Sequence, residues 1–224
     1  MRSSSITELV YDIFDIPCWS VYDIKGQSLG IDMTRTVIVG VGGAGCTIAE
    51  QLGPSLGHDV LLVNGAENGL ERLEEKAGQH RLYLETSAEN GRLTTVAGAE
   101  SAAVELADQL RKILAGNRNV ILVVGLGGIT GSGAAPELAG VAKAAGMHVT
   151  AVATLPFSFE DKRRTVAEGA LFKLKKHSDE VVLVDHSTNS RAKNVAQESL
   201  NEYFDRVTRE IKEKLLKANT GGAS

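Results

Sequence analysis

Residues 119–133 read NVILVVGLGGITGSG, and residues 36–45 read TVIVGVGGAG. Both stretches run from β-branched and aliphatic residues into a glycine turn, and a helical pattern follows each. In the first, every position from Val120 to Val124 is apolar, as a strand covered on both faces in the middle of a parallel sheet should be. The glycines permit a tight turn, a close approach of backbone to a ligand, and close helix packing. The chain holds 24 glycines against 4 prolines, and they gather at these turns instead of spreading evenly.

Outward from the two turns, a β-α alternation covers most of the chain. The helix AGCTIAEQLG leads to the strand DVLLV (59–63), a helical stretch at GLERLEEKA and the strand HRLYL (80–84). Residues 85–98 are polar and carry turn residues, which predicts a loop. AESAAVELADQLRKILAG has apolar residues at helical spacing and stops at Gly116. After the second turn come the helix GSGAAPELAGVAKAAG, the strand HVTAVATLPF and a charged helix from about Glu160 to His177. The strand EVVLVD (180–185) and a long helix, NVAQESLNEYFDRVTREIKEKLLKA, complete the series. This order predicts an α/β fold: a doubly wound, mostly parallel six-stranded sheet, Rossmann-like in its strand order 3-2-1-4-5-6, with helices on both faces. Residues 1–35 fall outside the alternation as an N-terminal extension, 36–218 form the domain, and 219–224 are expected to fray.

Composition narrows the classes. The 224 residues are 43% apolar and 23% charged, enough for one sizeable core and against disorder. With 24 basic and 28 acidic groups the net charge is −4, which argues against a general nucleic-acid or anionic-membrane partner. No apolar run approaches the ~18 residues of a membrane span, and Glu8, Asp12 and Asp15 interrupt any signal-peptide pattern, so a cytoplasmic protein is expected. Cys18 and Cys46 are too few for a disulfide framework. Cys46 falls at a helix start and reads as a small packing residue beside the turn. His58, His80, His148, His177 and His186 are scattered without ligand spacing, so no metal site is expected from them. Lys162, Arg163, Arg164, Lys173, Lys175 and Lys176 make a basic helix whose default is a solvated face.

The chemistry lies in the turns. In the order 3-2-1-4-5-6, strands 1 and 4 are neighbours, and their carboxyl ends flank the crevice where such sheets bind ligands. Two glycine-rich helix starts then face one crevice, with backbone N–H groups for an anion. Thr130 and Ser132 add hydroxyl groups, and the whole suits a di- or triphosphate. A dinucleotide cofactor wants a carboxylate at the end of strand 2 for its ribose; Val63-Asn64-Gly65 offers none. Neither turn holds the lysine of a Walker-type loop.

Gly127-Gly128-Ile129-Thr130-Gly131-Ser132-Gly133 resembles the FtsZ/tubulin signature G-G-G-T-G-[ST]-G, with Ile129 in place of the third glycine. GVGGAGC and the stretch GAAPELAGVAKAAGMHVTAVATLPFSFEDKRR are similar to the segments around the family's phosphate loops, and the likeness runs from about Thr36 to the last helix. The resemblance implies a GTP-binding domain of the cell-division and cytoskeletal class, with GTP or GDP as ligand and magnesium as an optional companion. It places Gly42, Gly43, Ala44 and Gly45 with Gly127 to Gly133 at the phosphates, and Glu160 and Arg164 beside the ribose and base. Glu160 and Arg164 are four residues apart, which puts them on one helix face. Thr47 and His186 stand where the family has asparagines; Phe204 matches the aromatic that stacks on the base, and Thr208 replaces its acidic or amide neighbour. Phe204 also reads as a core residue. A threonine makes a single, weaker contact than a carboxylate reading both guanine N–H groups, so guanine selection is the part least supported by the residues.

The family carries its catalytic acids on a loop after the central helix, and the chain ends at Ser224, so weak or no hydrolysis by the chain alone is expected, with no catalytic residue of its own. Acids supplied by a homo-oligomer or an FtsZ-like partner subunit are the implied alternative. Three other readings stay open: an active self-assembling GTPase, a dinucleotide-binding enzyme, and a nucleotide-free interaction module.

Overall fold

Every side chain of the first strand, TVIVGV, is buried, because the strand lies between two others and beneath helices on both sides. The structure is a computed structural model that describes residues 35–65, 70, 77–85, 93–185 and 199–220. In chain order the elements are β1 (Thr36–Val41), α1 (Gly42–Leu56), β2 (Asp59–Gly65), β3 (Gln79–Leu84), α2 (Val96–Glu105) and α3 (Ala107–Leu114). They continue with β4 (Asn119–Gly125), α4 (Ile129–Ala144), β5 (His148–Leu155), α5 (Asp161–His177), β6 (Glu180–Asp185) and α6 (Leu200–Thr220). The strands form one sheet in the order β3-β2-β1-β4-β5-β6, parallel at every pairing. This is the order expected from the sequence. Val39 faces Leu61 of β2 on one side and Leu122 of β4 on the other, so the two glycine turns leave adjacent central strands at the same sheet edge.

Alternation along the strands divides the core in two. Val37, Val39 and Val41 point with Val120, Leu122 and Val124 toward the face covered by α2, α3, α4 and α5, through Ala103, Leu110, Leu138 and Leu174. Ile38, Ile121 and Val123 point the other way, onto Ile48 and Leu52 of α1 and Val207, Ile211 and Leu215 of α6. The long last helix thus lies on the sheet beside α1, its charged residues on the outer side and its apolar stripe buried.

Three local expectations differ from what is found. The loop assigned to 85–98 ends early, because Thr95 caps a helix: its side chain accepts the Gly98 amide at 3.0 Å, and α2 starts at Val96. The single helix expected after it is two, parted at Leu106 (φ −82, ψ −1). The apolar spacing runs on through Leu106 to Leu110, so periodicity held no sign of the break. The last helix reaches Thr220, two residues into the segment expected to fray. The N-terminal extension, most of GLERLEEKA, residues 86–92, His186 and the last four residues lie outside the described ones. Among the described residues no helix is long and apolar enough to cross a membrane.

Candidate functional site

The two glycine turns touch. Gly42 opens α1 at φ 72, where a side chain would be strained, and a Cβ there would stand 3.1 Å from the Gly131 amide nitrogen and 3.7 Å from the Thr130 Cβ. Behind this contact the turns interlock. A Cβ on Gly125 would fall 2.8 Å from that of Ala44, one on Gly45 would overlap the Val123 carbonyl, and one on Gly131 would lie 2.5 Å from the Gly125 carbonyl. Gly133 lies against the Val96 carbonyl at the start of α2, and Gly127 (φ 92) against Pro156 and the Arg163 carbonyl. Of the glycines in the two turns, Gly43 and Gly128 have no atom within 4 Å of such a Cβ. They are the open positions.

Both helices begin without a side-chain cap. Val41 precedes α1 and Gly128 precedes α4 in extended conformations with no capping hydrogen bond, and neither helix has an acid in its first turn. An uncapped start leaves N–H groups and the positive end of the helix dipole for an anion. The electrostatics of the site therefore favour an anion. The hydroxyls behave differently from expectation. Ser132 is buried and its Oγ accepts the Gly127 amide at 2.8 Å, so it braces the turn from within. Thr130 is buried as well, whereas Ile129 is 39% exposed at the first position of α4. Thr47 Oγ1 bonds the Gly43 carbonyl at 3.1 Å, one turn back on α1.

Glu160 and Arg164 share the start of α5 but do not pair. Glu160 accepts the Phe157 amide at 3.0 Å and binds Arg163 at 2.5 Å, while Arg164 donates to the Pro156 carbonyl at 2.9 Å and meets Asp185 at 3.3 Å. The neighbour at i+3 captures the acid, and the carboxyl end of β6 captures the arginine. Asp185 was not singled out in the sequence; its place in register with Leu155, at the end of the neighbouring strand, is the signal that finds it.

On α6, Phe204 is half-buried against the α1–α6 core and meets Tyr203 edge-on at 5.3 Å. Tyr203 in turn lies 6.2 Å from Phe157, which stacks on the exposed Phe159 at 5.4 Å. Thr208 is buried and donates to Gln51 Oε1 at 2.8 Å; Gln51 Nε2 donates to Asp205 at 2.9 Å. Gln51 was missed, although its spacing of four from Thr47 on α1 places it on the same face. His186 follows β6 outside the described residues.

Cys46 Sγ is within 3.4 Å of the Gly40 carbonyl and 3.5 Å of Val63's. Burial pushes the thiol up to about 12, so the packing reading of this residue fits and an activated nucleophile does not. A cavity of about 160 Å³ opens at the other edge of the sheet, lined by Glu50, Pro54, His58, Asp59, Gly78 and Gln79. There burial holds the His58 imidazole below 6.5 against the pull of Asp59. It lies by the amino ends of β2 and β3, the wrong end for the ligand crevice of a doubly wound sheet. Among the described residues no group of three or more His, Cys, Asp or Glu side chains is placed to hold a metal.

Fold and turns together define a doubly wound α/β domain with two uncapped, glycine-rich helix starts at its central strands. Residues 35–197 match the model of the Tubulin/FtsZ family, GTPase domain, and the chain belongs to that family. Cell division protein FtsZ 1 of Pyrococcus furiosus is 38% identical over 160 residues, covering 67% of this chain and 41% of that protein. Cell division protein FtsZ of Neisseria gonorrhoeae is 30% identical over 169 residues, covering 73% of this chain and 42% of its own. The chain thus spans only about two-fifths of the length of these relatives. Among solved structures, an empty FtsZ dimer from M. jannaschii aligns with a TM-score of 0.67 at 28% identity, over 80% of this chain and 52% of that one. CetZ from Methanosaeta thermophila aligns at 0.64 with 18% identity, a likeness of fold alone.

Proposed function

We propose that this chain binds a guanine nucleotide, GTP or GDP, with its polyphosphate against the turns Gly42–Gly45 and Gly127–Gly133. By the family resemblance, Glu160 and Arg164 are assigned to the ribose and base, and Thr47, Phe204, Thr208 and His186 to the family's positions around the base. The observation that carries this reading is the approach of Gly42 to Gly131, which sets two uncapped helix starts around one space. Membership of a family whose matching model is a GTPase domain supports guanine over adenine. Magnesium would enter as a companion of the phosphates, held mainly by the nucleotide.

Hydrolysis by the chain alone is proposed to be slow. In-line attack at a γ-phosphate needs a group that orients water. Two acids on neighbouring elements are already engaged, Glu100 with Lys173 and Glu160 with Arg163 and the Phe157 amide. The acid that orients water is proposed to come from a second subunit, either another copy or an FtsZ-like partner; the relative from M. jannaschii is a dimer. Residues 36–218 are proposed to act as the nucleotide-binding unit, with 1–35 as an extension.

A thermal melt with GTP, GDP, ATP and NAD in parallel tests the assignment. At a hundredfold excess over its dissociation constant the true ligand adds ~2.7 kcal/mol of stability. GTP and GDP should raise the melting temperature, and ATP and NAD should not. A rise with NAD would point to a dinucleotide enzyme, and no rise with any nucleotide to an interaction module. Rapid GTP turnover by the purified chain without a partner would overturn the hydrolysis reading.

A further inference from the structure

At the sheet end away from the glycine turns, one buried acid is left without a hydrogen bond. Glu180 opens β6; its side chain is 1% exposed and neither carboxyl oxygen has a donor among the described residues. Its register partner on β5, Thr150, is buried with its own Oγ1 unpartnered. Among the described residues, the cationic side chain within 4 Å of Glu180 is His148, two residues earlier on β5 than Thr150. Its Nε2 stands 3.6 Å from Glu180 Oε1 and its Nδ1 3.8 Å from Asp179 Oδ2. These separations suit an ion pair and are too long for hydrogen bonds. A buried acid without donors is tolerated as a charge only beside a cation.

The surrounding charges leave this task to the imidazole. Lys143 of α4 is spent on Asp179 at 2.8 Å, and Asp179 also accepts the Val149 amide at 2.8 Å. Lys214 of α6 lies on Glu210 at 2.9 Å and on the Leu183 carbonyl at 3.4 Å. Arg118, next to β4, meets His148 through its backbone carbonyl at 2.9 Å. Lys175, Lys176 and His177 end α5 just ahead of Asp179.

We propose that His148 is a proton-dependent clasp: as an imidazolium between Asp179 and Glu180 it holds the start of β6 on β5, and its deprotonation loosens that strand. Among the described strands β6 stands at the edge of the sheet with β5 as its partner, so a local release need not unfold the rest. Glu180 raises the imidazole above 6.5; burial pulls it back, Asp179 adds to the rise and Lys143 opposes it. A raised folded value means the clasp contributes fully below 6.5 and is lost as pH climbs through the folded value. The clasp stands whether or not the chain binds a nucleotide.

The test follows the His148 Hε1 resonance by NMR in the full chain, with melts and amide exchange at pH 7 and 9 for the natural protein, His148→Gln and Glu180→Gln. We expect His148 to titrate above 6.5. The melting temperature should fall from pH 7 to 9, and this fall should vanish in His148→Gln. Protection of the Val181–Val184 amides, relative to unfolded-chain rates, should drop over the same pH range. In Glu180→Gln the imidazole should titrate closer to 6.5, a readout that serves even if His148→Gln fails to fold. Titration of His148 at or below 6.5, or no change in Glu180→Gln, overturns the clasp. So does a pH slope that survives in His148→Gln.

Discussion

Within the two turns, glycines that look alike in the sequence have different work. Gly131 lies 2.5 Å, at its would-be Cβ, from the Gly125 carbonyl and 2.9 Å from Val124 Cγ2. Gly131→Ala should therefore force the turns apart and cost about 1–3 kcal/mol in a urea melt. Gly43 has open space where a Cβ would go. Gly43→Ala should leave stability within about 0.5 kcal/mol of the natural protein, yet weaken GTP binding about tenfold by calorimetry if a phosphate rests there. A stable Gly43→Ala with unchanged GTP affinity would remove Gly43 from the cradle. Cys46, with a thiol pushed up to about 12, should stay unreactive toward a disulfide reagent near neutral pH until the chain is unfolded.

Joints between helices carry the element scale. α1 and α6 are linked over their apolar seam by Gln51, which accepts from Thr208 and donates to Asp205. Thr208→Val keeps the shape and removes the donor, and should cost about 1 kcal/mol. A double-mutant cycle with Gln51→Ala should recover most of that as coupling, and additivity would show that the bond is idle. At the α4–β6 joint, burial pushes Asp179 up, but Lys143, the Val149 amide and His148 outweigh it and leave it below 3.8. A depressed folded value contributes stability above 3.8 that is lost as pH falls through the folded value. The acid limb of a melting curve, between about pH 5 and pH 3, should thus be shallower in Asp179→Asn.

For the molecule as a whole, α6 decides whether the second core layer exists. Val207, Ile211 and Leu215 are fully buried beneath it against α1 and the sheet. Leu215→Ala should cost about 2–5 kcal/mol, and a denaturant midpoint lowered in one cooperative step would show that α6 folds with the sheet. Nucleotide binding and this stability are linked by mass action. GTP should therefore raise the midpoint of Leu215→Ala by about as much as that of the natural chain, if the cradle at the far ends of β1 and β4 is intact.

The strand order, both glycine turns and the helices on both faces were legible in the sequence, because they rest on local signals. Apolar runs mark covered strands, glycines mark the strand-to-helix reversals, and an unbroken β-α alternation leaves few parallel topologies open. The partners of polar side chains were not legible. Arg164 turns to Asp185 instead of Glu160, Ser132 braces Gly127, and Thr208 is claimed by Gln51. Glu180 is buried beside His148, thirty-odd residues away in the chain. Such choices depend on which groups the register of distant strands and the docking of α6 bring within about 3–4 Å. That proximity is a property of the folded chain, and no spacing along the sequence encodes it.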